Sequence, residues 1–117
     1  MRRGTTPVIN LTVYNYDVTK ATDVWVTFEQ STSGTEITRK WKRIPDEDEP
    51  NYGIMVVGQK ITCKLSQSET LEFVKGKVEV QVKFLENDYN DDTIMDNVVG
   101  TVTKKIPVTD ILNEDVM

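Results

Sequence analysis

The stretch "KVEVQVKFLE" (residues 77–86) alternates strictly, with Val78, Val80, Val82 and Phe84 on one side and Glu79, Gln81 and Lys83 on the other. A period of two cannot give a helix its apolar stripe, but it suits a strand buried on one face. The pattern returns in "VINLTVY" (8–14), where Ile9, Leu11 and Val13 share a face. It returns again in "DVWVTFE" (23–29), where Val24, Val26 and Phe28 point one way and Trp25, Thr27 and Glu29 the other. Shorter segments at 36–43, 53–57, 60–65 and 98–106 complete about seven evenly spaced strands. Such a series predicts an all-β fold, an antiparallel β-sandwich.

The connectors carry matching turn chemistry. "STSGTE" sets Gly34 between two strands, as a hairpin needs, and Gly58 and Gly76 supply permissive backbone angles for reversals. "PDEDEPNYG" (45–53) is flanked by prolines that cannot continue a ladder, so it reads as a surface loop. One short helical turn is expected in "SQSETLEF". Ser66 is its N-cap and Glu69, three residues on, completes a capping box ahead of Leu71 and Phe73.

A chain of 117 residues supports one core, so residues 1–117 are expected to form a single domain. The single cysteine, Cys63, excludes an intramolecular disulfide and shares a strand face with Ile61 and Leu65, which reads as a core thiol. The opening "MRRGTTPVINL" has no apolar run of the secretory type, and "IMVV" (54–57) is far too short to span a bilayer. No membrane partner is expected. The net charge of −5 divides unevenly, with +3 in residues 1–43 and −8 in residues 44–117. A bipolar distribution of this kind favours head-to-tail contacts where the fold keeps the two halves apart.

Much chemistry is excluded. Histidine is absent, which removes imidazole-based nucleophile pairs and zinc sites, and one cysteine cannot build a thiolate metal site. There is no glycine-rich phosphate loop. Asp88, Asn90 and Asp92 have the spacing of calcium ligands, but Thr93 stands where a glycine is needed and Val99 where a glutamate is. No enzyme activity, cofactor or metal is therefore expected.

The segment "EITRKWKRIPDEDEP" (36–50) concentrates cations around a tryptophan and follows them with acids. Alternation puts Ile37, Arg39, Trp41 and Arg43 on one face and Thr38, Lys40 and Lys42 on the other. The overall acidity opposes a polyanion, so no nucleic-acid partner is expected. Cations on a strand rim protect an edge from aggregation. Tryptophan and arginine are also residue types that dominate protein interfaces, which makes Arg39, Trp41 and Arg43 candidate contacts for protein partners, including other copies of the chain. Ile111 and Leu112, apolar residues in "VTDILNEDVM", are further interface candidates that dock on their own sandwich or on a neighbour. An alternative is a carbohydrate- or host-surface-binding module, in which Trp25, Tyr52 and Tyr89 stack on sugar faces.

With the strands placed, the opening "MRRGTTP", the pair "SQSETLEF" and "VEVQVKF", and the ending "IPVTDILNEDVM" resemble a group of small proteins encoded by phages and prophages of gut Firmicutes. The architecture is similar to the immunoglobulin-like N-terminal domain of phage baseplate upper proteins. The resemblance covers nearly the whole chain, which departs from the pattern in longer acidic insertions at 45–51 and 87–93. It implies an immunoglobulin-like sandwich and a virion-associated, non-enzymatic role in a tail, baseplate or capsid decoration. Its partners would be copies of itself or other virion proteins.

Overall fold

The computed structural model describes residues 4–45, 48, 50–86 and 98–108. Within them lie seven strands: β1 (Val8–Thr12), β2 (Asp23–Gln30), β3 (Thr35–Lys42), β4 (Ile54–Val57), β5 (Lys60–Lys64), β6 (Gly76–Leu85) and β7 (Val98–Val108). A 3-10 turn at Val18–Lys20 follows β1, and one short helix, α1 (Gln67–Leu71), follows β5. The helix begins as its sequence predicts. Ser66 accepts from the Glu69 amide, and the Glu69 carboxylate accepts from the Ser66 amide.

The strands form two antiparallel sheets, one ordered β1-β5-β4 and the other β3-β2-β6-β7. In immunoglobulin terms β1, β5 and β4 stand for strands B, E and D, and β3, β2, β6 and β7 for C′, C, F and G. The all-β sandwich expected from alternation is therefore the observed architecture. No counterpart of strand A, which would flank β1, exists among the described residues.

The core is the layer between the sheets. Val24, Val26 and Phe28 of β2 and Val78, Val80, Val82 and Phe84 of β6 meet Ile9, Leu11, Ile61 and Cys63 from the facing sheet, with Leu65 just beyond β5. Each such side chain, once buried, contributes roughly 1.5–3 kcal/mol, so the alternating pattern alone selects which face closes. Tyr16 joins from the β1–β2 connection, its ring stacked on Phe84 at 4.6 Å.

Polar side chains tie the connections to this core. Gln59, beside Gly58 in the β4–β5 turn, donates to the Val13 and Tyr16 carbonyls and accepts from the Val18 amide. That fixes the whole β1–β2 crossover to one turn. Gln30, buried at the end of β2, donates to the Val74 carbonyl and accepts from the Val74 amide, both at 2.8 Å. The segment between α1 and β6 is thereby held as another strand would hold it.

The two long sides of the sandwich differ. At β3 and β4 the seam is closed: Asn51 makes a two-way bond with the Lys42 backbone, both contacts 2.8 Å, and Arg39 crosses from β3 to the other sheet. At β1 and β7 the seam is open. Val102 faces inward with Ile106 and Val108, yet it is 38% exposed. No described helix is long and apolar enough to cross a membrane.

Candidate functional site

The basic segment occupies β3, which is an edge strand as expected, but its residues are disposed differently from the expected rim. The face carrying Ile37, Arg39 and Trp41 is turned toward the opposite sheet. Trp41 is only 8% exposed and belongs to the core. Arg43 lies over the Trp41 ring at 5.0 Å and donates to the carbonyls of Ala21 (2.9 Å) and Val18 (3.0 Å). Arg39 donates to the Lys64 carbonyl from two nitrogens, at 3.3 and 3.2 Å, and pairs with the Glu69 carboxylate. The inward turn of Arg39 and Trp41 has a simple cause. The inward face of an edge strand near the sandwich corner reaches main-chain carbonyls of other elements, which long cationic side chains can cap. The exposed positions of the segment are Glu36, Thr38, Lys40 and Arg43, the last held by its bonds to the Ala21 and Val18 carbonyls. Ile111 and Leu112 lie outside the described residues, as do Tyr89 and the calcium-spaced Asp88, Asn90 and Asp92.

Around Arg39 the corner opens into a cleft of about 730 Å³, lined by Arg39, Tyr52, Gly53, Lys64, Ser66 and Glu69. Gly53 permits this geometry. Its φ is +70°, and a Cβ there would stand 2.6 Å from the Arg39 Nε. Burial pushes the Glu69 carboxyl up, but hydrogen bonds from Arg39 and Ser66 outweigh it and hold the group below its ordinary range. The carboxylate is thus spoken for by a cation and a helix cap. Tyr52 at the cleft is 83% exposed, the only one of the three aromatic candidates so presented among the described residues. Trp25 does face outward as expected, but the Lys40 ammonium sits over its ring at 4.7 Å.

The outer face of the four-stranded sheet is banded by register. Glu36, Glu29, Glu79 and Lys105 form one row; Thr38, Thr27, Gln81 and Thr103 the next; Lys40, Trp25, Lys83 and Thr101 the third. Glu29 and Glu79 border a shallow depression of about 190 Å³ with Lys77 and Lys105, and both carboxylates are exposed to water. No group of three or more described acids and thiols is placed to hold a metal ion.

The remaining candidate surface is the open side. A narrow groove of about 70 Å³ runs between β1 and β7, with Leu11 and Val13 on one wall, Val102 and Lys104 on the other, and Val80 and Val82 at its base. β7 is the longest strand, 11 residues, and its outer edge has no partner strand among the described residues. Val98 and Val99 at its start are 46% and 41% exposed. Alternation identified β7 as a strand but could not show that its inner face goes uncovered, since that depends on which sheet lacks a strand. Glu69 was legible as a cap but not as the partner of Arg39, because the pair spans 30 residues of sequence. No protein-family model matches the chain, and neither a curated protein nor a solved structure shows significant similarity to it.

Proposed function

We propose that this chain is a non-enzymatic structural or assembly module of a phage particle, serving a tail, baseplate or capsid decoration through contacts with copies of itself or other virion proteins. The single observation that carries the assembly reading is the open side of the sandwich. A long edge strand with exposed β-branched residues and an uncovered inner face is a template for another chain. The phage setting and a virion location rest on the sequence resemblance alone. Sedimentation of the purified chain across concentration and salt tests the first part, with concentration-dependent oligomers as the expected result. A chain that stays monomeric throughout counts against it. Mass spectrometry of particles purified from the strain carrying the gene tests the second, and absence of the chain from them removes the virion assignment.

A second reading, a glycan- or host-surface-binding module, is supported by the exposed ring of Tyr52 beside the hydrogen-bonding groups of the corner cleft. Binding on a glycan array that disappears in Tyr52→Ala supports it. A silent array with folded protein excludes it.

A further inference from the structure

The open side of the sandwich combines an unpaired edge, an exposed inner-face valine and two cations. Lys104 faces the groove and Lys105 faces outward, and neither makes an ion pair with a described residue. The chain beyond Val108 reads "TDILNEDVM", residues 109–117, apolar at Ile111, Leu112, Val116 and Met117 and acidic at Glu114 and Asp115. We infer that residues 111–117 of a second copy add to the outer edge of β7 as an antiparallel strand, and that two copies do this reciprocally about a two-fold axis. The inference deepens the assembly reading given above and rests on it.

The register carries the argument. Pairing Val108 with Ile111 of the second copy sets Lys105 opposite Glu114, Lys104 opposite Asp115 and Val102 opposite Met117. Directly opposite residues in an antiparallel pair share a face. Ile111, Asn113, Asp115 and Met117 then fall on the inner face with Val108, Ile106, Lys104 and Val102, where Met117 covers the exposed valine and Asp115 meets the groove cation. Leu112, Glu114 and Val116 fall on the outer face, with Glu114 against Lys105. A one-residue shift brings Leu112 and Val116 inward instead and leaves only one of Lys104 and Lys105 opposite an acid, so the pairing of both lysines with Asp115 and Glu114 is what selects this register. Pro107 has no N–H to donate and interrupts the ladder at one position at most.

A second copy suits this register better than the chain's own tail does. The same pairing within one chain needs a two-residue reversal at Thr109–Asp110. Reversals of that length require left-handed backbone angles, for which glycine and asparagine are the favoured residues and a β-branched threonine is poor. Reciprocal exchange lets the chain run straight through those residues, which is the usual outcome when a hinge cannot turn.

Charge reversal in the full chain tests it. Lys104→Glu with Lys105→Glu, and Glu114→Lys with Asp115→Lys, each place like charges at every facing pair, whereas mixing the two variants restores attraction. The expected result by light scattering is a dimer of twice the 13.4 kDa chain mass for the parent, a dissociation constant at least about tenfold higher for either variant, and a dimer again for the equimolar mixture. Thr103→Cys with Val116→Cys should cross-link between copies on oxidation. A parent dimer that persists unchanged in both reversed variants overturns the inference and leaves the assembly reading standing. A cross-link formed within one chain overturns the exchange, as does a monomeric parent, which also removes self-assembly.

Discussion

Arg39 on β3 and Glu69 in the first turn of α1 join the two sheets at the closed corner of the sandwich. The same guanidinium caps the Lys64 carbonyl at the end of β5, so one side chain holds the edge of one sheet, the end of the other and the helix that follows it. Both partners are largely buried, at 14% and 23% exposure. Removing one leaves the other with an unmet charge, which costs more than the intact pair contributes.

Arg39→Ala is accordingly expected to lower stability by about 2–3 kcal/mol, measured as a shift in the urea midpoint. Glu69→Gln isolates the charge. Because the folded-state carboxyl is held below its ordinary range, its contribution is present above the unfolded-state value and is lost as pH falls through the folded one. The gap between wild type and Glu69→Gln should therefore be widest near neutrality and close in acid. A gap that does not change with pH would show that the pair has no electrostatic role.

Glycine substitutions separate backbone strain from crowding at this corner. Gly34 and Gly53 have nearly the same φ, +71° and +70°, but a Cβ at Gly34 meets nothing within 4 Å whereas one at Gly53 meets Arg39 and the Lys64 carbonyl. Gly34→Ala should cost about 1 kcal/mol, the strain of a left-handed alanine. Gly53→Ala should cost at least about 1 kcal/mol more, because Arg39 must leave its bonds. The difference should shrink in an Arg39→Ala background to what the Lys64 carbonyl alone imposes. Equal costs in the parent background would mean that Arg39 moves aside freely.

The contrast between these positions also explains what the sequence made legible. Strand placement followed from Val78, Val80, Val82 and Phe84, whose periodicity is a local property and survives any topology. The helix start followed from Ser66 and Glu69, three residues apart. Arg39, Trp41 and Arg43 resisted, since alternation gives two faces without saying which is inside, and a cationic face looks like an outer one. The inward placement of Arg39 and Trp41, and the anchoring of the exposed Arg43, depend on carbonyls of Lys64, Ala21 and Val18, which are invisible until the sheets pack. The open β1–β7 side resisted for a related reason: a count of strands does not reveal which edge lacks a neighbour.

Cys63 should behave as a core residue and not as a redox centre. It has no exposed surface, and burial pushes its thiol up to about 12 against the opposing pull of Arg39. Thiolate is the reactive form, so alkylation at pH 8 should be slower than in urea by on the order of a thousandfold. Labelling rates should follow the unfolding equilibrium as denaturant is added. Rapid labelling of the folded chain would place the thiol at the surface. Cys63→Ser is expected to cost about 1–3 kcal/mol through a hydroxyl that lacks a partner in an apolar layer, and Cys63→Ala less if the layer relaxes.

Gln30 offers the sharpest pH test, because its amide serves one donor and one acceptor of the same residue, Val74. A glutamate of the same shape keeps the bond from the Val74 amide but, when ionised, turns a second oxygen toward the Val74 carbonyl. When protonated it can donate there instead. Gln30→Glu therefore has a folded-state carboxyl raised above its unfolded value, and the protonated bond contributes fully below that unfolded value and is lost as pH rises through the folded one. The variant should be about 2–4 kcal/mol less stable than wild type at neutral pH and recover as pH falls toward 4. Other carboxylates, Glu69 among them, lose their contributions over the same range, so the comparison is made against Gln30→Met at each pH. If the urea midpoints of the Gln30→Glu and Gln30→Met variants run parallel from about pH 7 to about pH 4, the two-way bond to Val74 does not hold the α1–β6 segment in place.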